Sequence, residues 1–395
     1  MGILTKSKNK LVLVFNIGSS NVAGALFWAQ DSGISKIIFS DIEPMPVEDR
    51  VDIDKFLPST TQALGALAQR IQKAGMGMPQ EIFCILSSPW HVSQTRIINL
   101  KKNTPFVFTT KLAEGLVQKE INIFEEENSK KNPNAGVANR TIELKNIKTV
   151  LNGYETSEPL NQKTKELEMT VFISVGEERV LNAIEDTIAK YFHFNQIKFA
   201  SFTLASFTIV RDMNIEKENF LLLDIGGEVT NISMVKKNML RESASFPLGR
   251  NFLTRGVASG MGCTQSEAKS FISLFKDGHA EATVSEKMTL IMNQLRTEWL
   301  KYFQESLANL SNDISIPSTI YMTTDKDLAD FFSQTIKAEQ FNQYTLTDSK
   351  FEIIFLGSEV FHGIAVFEEQ AIHESALIID SVYVNRFLIY PGITG

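Results

Sequence analysis

The chain has 395 residues, of which 43% are apolar and 22% are charged, and its formal net charge is −7. This length exceeds one ordinary hydrophobic core and favours two lobes, while the acidic balance argues against a nucleic-acid partner. Two cysteines, Cys84 and Cys263, exclude a disulfide framework and favour a reducing, cytoplasmic compartment. No apolar run reaches the roughly 18–20 residues of a membrane span, and no zinc-ligand spacing is present.

The first elements along the chain form an α/β pattern. Residues 11–15 predict a buried strand, residues 22–29 a returning strand, and residues 81–88 another buried strand. Between them, residues 54–74 predict a helix, because four apolar side chains recur there at helical spacing. They are Leu64, Leu67, Ala68 and Ile71.

The middle of the chain predicts a small module of one helix and several strands. The helix begins near Thr109 or Thr110, strands cover residues 141–156 and 165–176, and a strongly amphipathic helix covers residues 177–194. We expect this second helix to cover one face of the module's sheet. The side chains that would do so are Val180, Leu181, Ile184 and Ile188. An uncovered strand edge of the module could accept a strand from a partner.

The second half of the chain repeats the pattern of the first. Residues 219–227 predict a strand, residues 228–249 two further strands, and residues 318–338 a strand, a turn and a helix. Helices are predicted over residues 251–275 and 281–310. Because the strands after each glycine turn continue as hairpins, we expect mixed sheets in an α/β fold.

Two glycine-containing turns align without gaps. "LVFNIGSSNVA", residues 13–23, matches "LLLDIGGEVTN", residues 221–231, so that Asn16 corresponds to Asp224 and Gly18 to Gly226. Turns of this kind present several backbone N–H groups in one concavity, and glycine lets phosphate oxygens approach the main chain. An acid at the strand end, here Asp224, can hold Mg²⁺. The alternative is that each turn is only a tight hairpin.

The pair of turns resembles the two phosphate loops of the actin-like ATPase superfamily. Residues 245–271, "SFPLGRNFLTRGVASGMGCTQSEAKSF", resemble the segment after the second loop in its FtsA/PilM group, and residues 151–192 resemble the module inserted in the first lobe of that group. The resemblance implies a two-lobe actin-like (ribonuclease H-like) fold with a small α+β module inserted in the first lobe. It also implies ATP and Mg²⁺ as cofactors, with Asp224 as the metal residue.

The resemblance assigns four groups of residues to the cofactor site. They are Asn16, Gly18, Ser19, Ser20 and Asn21 in the first turn, Asp224, Gly226, Gly227, Glu228 and Val229 in the second, Glu267 and Lys269 on the following helix, and Thr323 and Thr324 in a third motif.

Three of these motifs depart from the family pattern. Asn16 stands where the family has Asp, Glu228 replaces a third glycine, and Thr-Thr-Asp at residues 323–325 stands where the family has three glycines against adenosine. Asn supplies no charge to a metal, and the Glu228 carboxylate would repel phosphate unless a metal lies between them or the side chain points away. These departures leave open whether the cleft binds ATP, and they argue against significant turnover.

The same resemblance predicts the division of the chain. We expect a first lobe over residues 10–88 and 199–217, the module over 89–198, a second lobe over 218–360 with a helical subdomain near 250–312, and a segment 361–395 that returns to the first lobe. The predicted function is a scaffold at the inner face of the cell membrane. Its partner would be a division-ring protein or an inner-membrane pilus protein, with self-association into filaments as a further expectation. The alternative is an active ATPase or small-molecule kinase on the same fold.

Overall fold

The computed structural model describes residues 10–49, 53–131, 138–194, 196–310, 315–338 and 350–389. The strands are β1 Lys10–Ile17, β2 Asn21–Ala29, β3 Ser35–Pro44, β4 Glu81–Leu86, β5 Val92–Val107, β6 Asn139–Leu151, β7 Tyr154–Glu155, β8 Lys163–Glu177, β9 Ile197–Ser201, β10 Phe220–Ile225, β11 Thr230–Lys236, β12 Met239–Phe246, β13 Thr319–Thr323, β14 Glu352–Phe355 and β15 Ala365–Phe367. The helices are α1 Ile53–Lys73, α2 Thr110–Lys131, α3 Glu178–Ala189, α4 Phe202–Met213, α5 Arg250–Met261, α6 Gln265–Lys276, α7 Ala282–Leu310, α8 Lys326–Lys337 and α9 Ser375–Ile389.

Two of the sheets repeat one strand order. In the first lobe, β3, β2 and β1 are antiparallel, and β4 and β9 continue the sheet parallel to β1, while β15 pairs with the outer edge of β3. In the second lobe, β12, β11 and β10 are antiparallel, and β13 and β14 continue parallel to β10. The repeat places the turn after β1 and the turn after β10 at equivalent positions.

The first-lobe sheet is covered by helices on both faces. Because successive side chains of a strand point to opposite faces, Leu13 and Phe15 pack in the core beneath α1 and α3, whereas Val12 and Val14 pack in the core with α4 and α9. This double coverage explains why β1 is a continuous apolar run.

A single hydrophobic cluster joins the two lobes. Phe207 of α4 shares it with Phe220 and Tyr321 of the second-lobe sheet, and Val382 of α9 belongs to the same cluster. All four side chains are buried. The shared core fixes the two sheets relative to each other and therefore positions the two glycine turns.

The module has a sheet of its own, in the order β5-β8-β6-β7. Its helix α2 covers one face, where Ile121 and Phe124 pack with Val171 and Ile173. The prediction that α3 covers this sheet is wrong. Val180, Leu181, Ile184 and Ile188 pack instead in the first-lobe core beside α1. An amphipathic stripe requires an apolar partner but does not specify which one, and here α2 already occupies the module's face.

The last described helix, α9, packs against α4, β1 and β2 of the first lobe. Residues 390–395 of the predicted C-terminal segment lie outside the described residues. Among the described helices, none combines the length and apolar character that a membrane crossing requires.

Candidate functional site: the cleft between the two glycine turns

The first glycine turn, residues 17–21, joins β1 to β2. Its Gly18 N–H donates to the Asn21 carbonyl at 3.2 Å, and the Gly18 carbonyl accepts from the Trp90 indole at 2.9 Å. Trp90 also stacks on Phe56, with 4.9 Å between ring centroids. The turn is therefore held by side chains of its own lobe.

The second glycine turn, residues 225–229, joins β10 to β11 and rests on the beginning of α5. Gly226 N–H donates to the Val229 carbonyl at 3.0 Å. The Gly226 and Gly227 carbonyls accept from the N–H groups of Arg250 and Asn251, each at 2.9 Å. A helix N-terminus normally offers such N–H groups to an anion. Here the turn itself uses them.

The two turns are in direct contact across the cleft. Glu228 N–H donates to the Ser19 hydroxyl at 2.9 Å. A Cβ atom on Gly227 would lie 2.7 Å from the Ser19 carbonyl carbon and 2.7 Å from Ser20 Cβ. Side chains essentially never approach backbone that closely. Glycine is therefore required at residue 227 by the opposite turn.

The Glu228 carboxylate points away from the first turn. It accepts from Arg255 at 3.0 Å and from the Asn251 amide at 2.8 Å, both on α5. The Glu228 side chain is only 10% exposed, so this pairing neutralises a buried charge. The repulsion of phosphate considered for this residue therefore does not arise in this orientation.

Two acidic residues lie beneath the turns in different settings, Asp224 at the end of β10 and Asp380 on α9. Asp224 accepts from the Thr323 hydroxyl at 2.8 Å, and burial raises the pKa of its carboxyl group. Asn16 donates at 2.8 Å to Asp380 of α9, which is fully buried. Burial raises the pKa of Asp380 well above its ordinary value, and the charge of Asp224 raises it further. The carboxylate missing at Asn16 is thus supplied by α9.

Sequence reasoning missed Asp380 and Arg250. Asp380 is the single charged residue in "ALIIDSVYV", residues 376–384, and a charge in so apolar a helix is a signal that it has a buried partner. Arg250 lies within the segment that resembles the family, but nothing in its neighbours indicates the direction of its side chain.

Arg250 spans the cleft. Its guanidinium donates to the Ser20 hydroxyl in the first turn and pairs with Asp325 at 2.7 Å, directly after the third motif. Its charge also acts to lower the pKa values of Asp224 and Glu374, although burial raises both. One arginine therefore interacts with a hydroxyl group of the first turn and with carboxylates from other parts of the cleft.

The predicted residues on α6 lie at the rim of the cleft. Glu267 and Lys269 are exposed, and Glu267 forms a capping box with Thr264 at the start of the helix. The neighbouring Gln265 donates to Asp49 of the first lobe at 3.0 Å. In the third motif, Thr323 binds Asp224, whereas the buried Thr324 hydroxyl has no hydrogen-bond partner.

The residues do not fit a magnesium nucleotide as they stand. The two turns touch each other, Arg250 crosses between Ser20 and Asp325, and the Asp325 carboxylate lies where the family has a glycine. Asp224 is half-buried, and its carboxyl group accepts from the Thr323 hydroxyl. Among the described residues, no group of three or more His, Cys, Asp or Glu side chains could hold a metal ion.

Comparison with solved structures identifies the fold. The chain superposes on PilM in a PilM–PilN type IV pilus biogenesis complex with a TM-score of 0.59 and 14% identity, over 97% of this chain and 98% of that one. The chain has the actin-like fold.

A protein from Bacteroides thetaiotaomicron with an actin-like ATPase fold and unknown function aligns over 90% and 93% of the two chains, at 11% identity and a TM-score of 0.38. The ethanolamine utilization protein EutJ from Carboxydothermus hydrogenoformans aligns over 96% and 89%, at 9% identity and a TM-score of 0.42. No family model matches the chain, and a search of curated proteins finds no relative.

Proposed function

We propose that the protein is a PilM-like scaffold that binds a short, extended segment of a membrane protein from the cytoplasmic side. The fold supports this proposal, because the PilM structure that it resembles along its whole length was determined with PilN. The contact between the two glycine turns also favours a scaffold over an enzyme, since it leaves the phosphate loops bonded to each other.

The observation that carries the proposal is a pair of strand edges that face each other. β9 is the edge strand of the first-lobe sheet, and β6 lies near the edge of the module's sheet, where β7 pairs only with Val150 and Leu151. Along residues 139–149 of β6, the outer edge has no strand partner among the described residues. Exposed edges of this kind accept an extended peptide through main-chain hydrogen bonds.

A groove of about 520 Å³ lies between these strands. Its lining combines aromatic rings with cations that lie over them. Lys198 lies 5.2 Å from the Phe83 ring, Arg140 5.4 Å from the Phe199 ring, and Lys145 4.7 Å from the Phe387 ring. Such a lining suits a segment with apolar side chains, because the rings offer apolar surface. Acidic side chains of the segment would share cations that already pair within the protein, Arg140 with Glu185 and Lys198 with Glu81.

The floor of the groove ties the module to the rest of the protein. Glu143 of β6 accepts from the Ser201 hydroxyl at 2.8 Å and from the Tyr383 hydroxyl at 2.7 Å. Ser201 ends β9 and caps the N-terminus of α4, and Tyr383 lies on α9. A buried and satisfied network of this kind makes the groove rigid. A preformed groove reduces the entropy lost when a partner binds.

Site-specific photocrosslinking tests the proposal. A photoreactive residue replaces Leu144, which lines the groove and is 42% exposed. A matched probe replaces Arg241, which lines a separate groove between β5 and β12. In cells that naturally produce the protein, we expect the Leu144 probe to capture a membrane protein through its cytoplasmic segment, and the Arg241 probe to capture none.

Charge-reversal variants then separate the two grooves. We expect Lys145→Glu with Lys198→Glu to reduce binding of a synthetic peptide of the captured segment by about 100-fold, or about 3 kcal/mol. The control Arg241→Glu should leave the affinity within about two-fold. Capture only by the Arg241 probe would move the site to the other groove, and capture of no membrane protein by either probe would refute the function.

A further inference from the structure

We propose that the protein's own side chains, with Arg250 at their centre, hold the two lobes closed in place of a magnesium nucleotide. The closed cleft is then the resting state of the protein and does not depend on a cofactor. This inference is independent of the proposed partner groove, which lies between β6 and β9 rather than between the two turns.

Direct bonds cross the cleft at three depths. Near its floor, the Ser88 hydroxyl of the first lobe donates to the Asn231 side chain of β11 at 2.9 Å. At the turns, Ser19 accepts from Glu228 N–H, and Ser20 accepts from Arg250. At the rim, Gln265 and Asp49 are 3.0 Å apart. A nucleotide that joins two lobes must bridge a gap, and here protein groups already span it.

Arg250 supplies a fixed positive charge in the cleft. The carboxylate of Asp325 is 2.7 Å from its guanidinium. Burial raises the pKa values of Asp224 and Glu374, and the positive charge of Arg250 partly opposes that rise. The Arg250 side chain is 13% exposed, whereas Asp325 lies at the surface, so the arginine itself is held within the cleft. In sites of this fold that bind nucleotide, a bound cation would meet that need for charge, whereas in this chain an arginine meets it.

Glu228 also helps to hold the two lobes closed. Its carboxylate binds Arg255 and Asn251 on α5, and its own N–H binds Ser19 across the cleft. Because α5 holds the Glu228 side chain, the Glu228 N–H group points across the cleft to Ser19. A glycine at residue 228 would lack this anchor. The residue that departs most clearly from a phosphate loop therefore stabilises the closed form.

Hydrogen–deuterium exchange measures closure directly. In purified, ligand-free protein, we expect peptides that contain residues 17–21 and 225–229 to exchange as slowly as the buried strands β1 and β10. Millimolar ATP with Mg²⁺ should change neither their exchange nor the melting temperature, because a ligand that does not bind the native state adds no stability. Fast exchange that slows when ATP and Mg²⁺ are added, or a clear rise in melting temperature, would overturn the proposal.

Two arginine variants test whether Arg250 holds the cleft closed. Arg250→Ala removes the hydrogen bond to Ser20 that crosses the cleft, together with the ion pair to Asp325 inside the second lobe, and we expect exchange of both turns to accelerate at least ten-fold. Arg386→Ala removes a comparable, part-buried pair with Asp212 inside the first lobe and should leave both turns protected. Ser20→Ala, which deletes only the acceptor in the first turn, should give a smaller acceleration and covers the case in which Arg250→Ala does not fold. The proposal would be refuted if Arg250→Ala and Arg386→Ala accelerated exchange of the turns equally. It would also be refuted if Ser20→Ala left exchange of the turns as slow as in the wild-type protein.

Discussion

The two glycine turns share a backbone path but are supported differently. The first follows β1, whose penultimate residue is Asn16, and the acidic partner of Asn16, Asp380, comes from α9, more than three hundred residues along the chain. The second follows β10, whose penultimate residue is Asp224, and its partners, Thr323 and the beginning of α5, belong to its own lobe. Repeated strand order therefore does not imply repeated chemistry, because each turn is completed by elements that the other lobe lacks.

The surroundings of the turns differ in the same way. The segment after β4 carries Trp90 and the buried His91, whereas the equivalent segment after β13 carries Thr324 and the exposed Asp325. The first lobe also contains the module and α9. Substitutions can make the two turns more alike, or can measure how far their environments differ.

The largest effect should come from making the strand ends identical. In Asn16→Asp, two buried carboxyl groups would meet where an amide now donates to Asp380. We expect a loss of about 3–5 kcal/mol of unfolding free energy at pH 8, since one carboxylate would lack a partner. The pKa of the pair is raised in the folded state, so stability should be lost as pH rises and regained as it falls. Urea titration at pH 8 and pH 5 measures this.

A reciprocal exchange provides the control for that variant. Asn16→Asp combined with Asp380→Asn restores one amide and one carboxylate at the same contact. We expect the double variant to recover most of the lost stability at pH 8. If Asn16→Asp proves as stable as the wild-type protein at pH 8, the contact between these two residues does not exist in solution.

The next effect concerns His91, which burial keeps neutral by lowering its pKa to about 4. An unfolded histidine titrates near 6.5, so the stabilisation present above that value is lost as pH falls towards 4. At pH 4.5 we expect this loss to reach about 2–3 kcal/mol, and His91→Gln should remove that part of the acid sensitivity. Chemical denaturation of both proteins between pH 7.5 and 4.5 tests it.

His279 offers a matched control, because its side chain is exposed and its replacement leaves the core unchanged. His279→Gln should follow the wild-type pH dependence. An identical pH dependence for His91→Gln and His279→Gln would show that His91 is not buried in the neutral form.

The smallest effect compares the glycines themselves. Gly227→Ala places a methyl group 2.7 Å from backbone of the opposite turn and should cost about 1–3 kcal/mol by overpacking. In Gly18→Ala the nearest atom is the Asn21 carbonyl oxygen, 3.3 Å away, so the cost should be smaller. Thermal unfolding of the two variants ranks them. The reverse order, or equal costs, would mean that the turns are apart in solution.

The sequence by itself determined the elements and their repetition. Apolar runs and helical spacing predicted β1, β10 and α1, because the period of burial follows from the geometry of a strand or a helix. The α/β class and the actin-like fold followed from the paired turns and the segment 245–271, and the superposition on the PilM structure confirms both. The residues assigned to a cofactor remain a prediction that awaits the nucleotide experiments.

Only the tertiary structure decided how those elements are partnered. The stripe on α3 could have packed against either sheet, and it packs in the first lobe because α2 covers the module. The direction of Glu228, the reach of Arg250 and the meeting of Asn16 with Asp380 all join residues that are distant in sequence. Local patterns report burial and backbone conformation, whereas the partner of a buried charge depends on which elements the complete fold brings together.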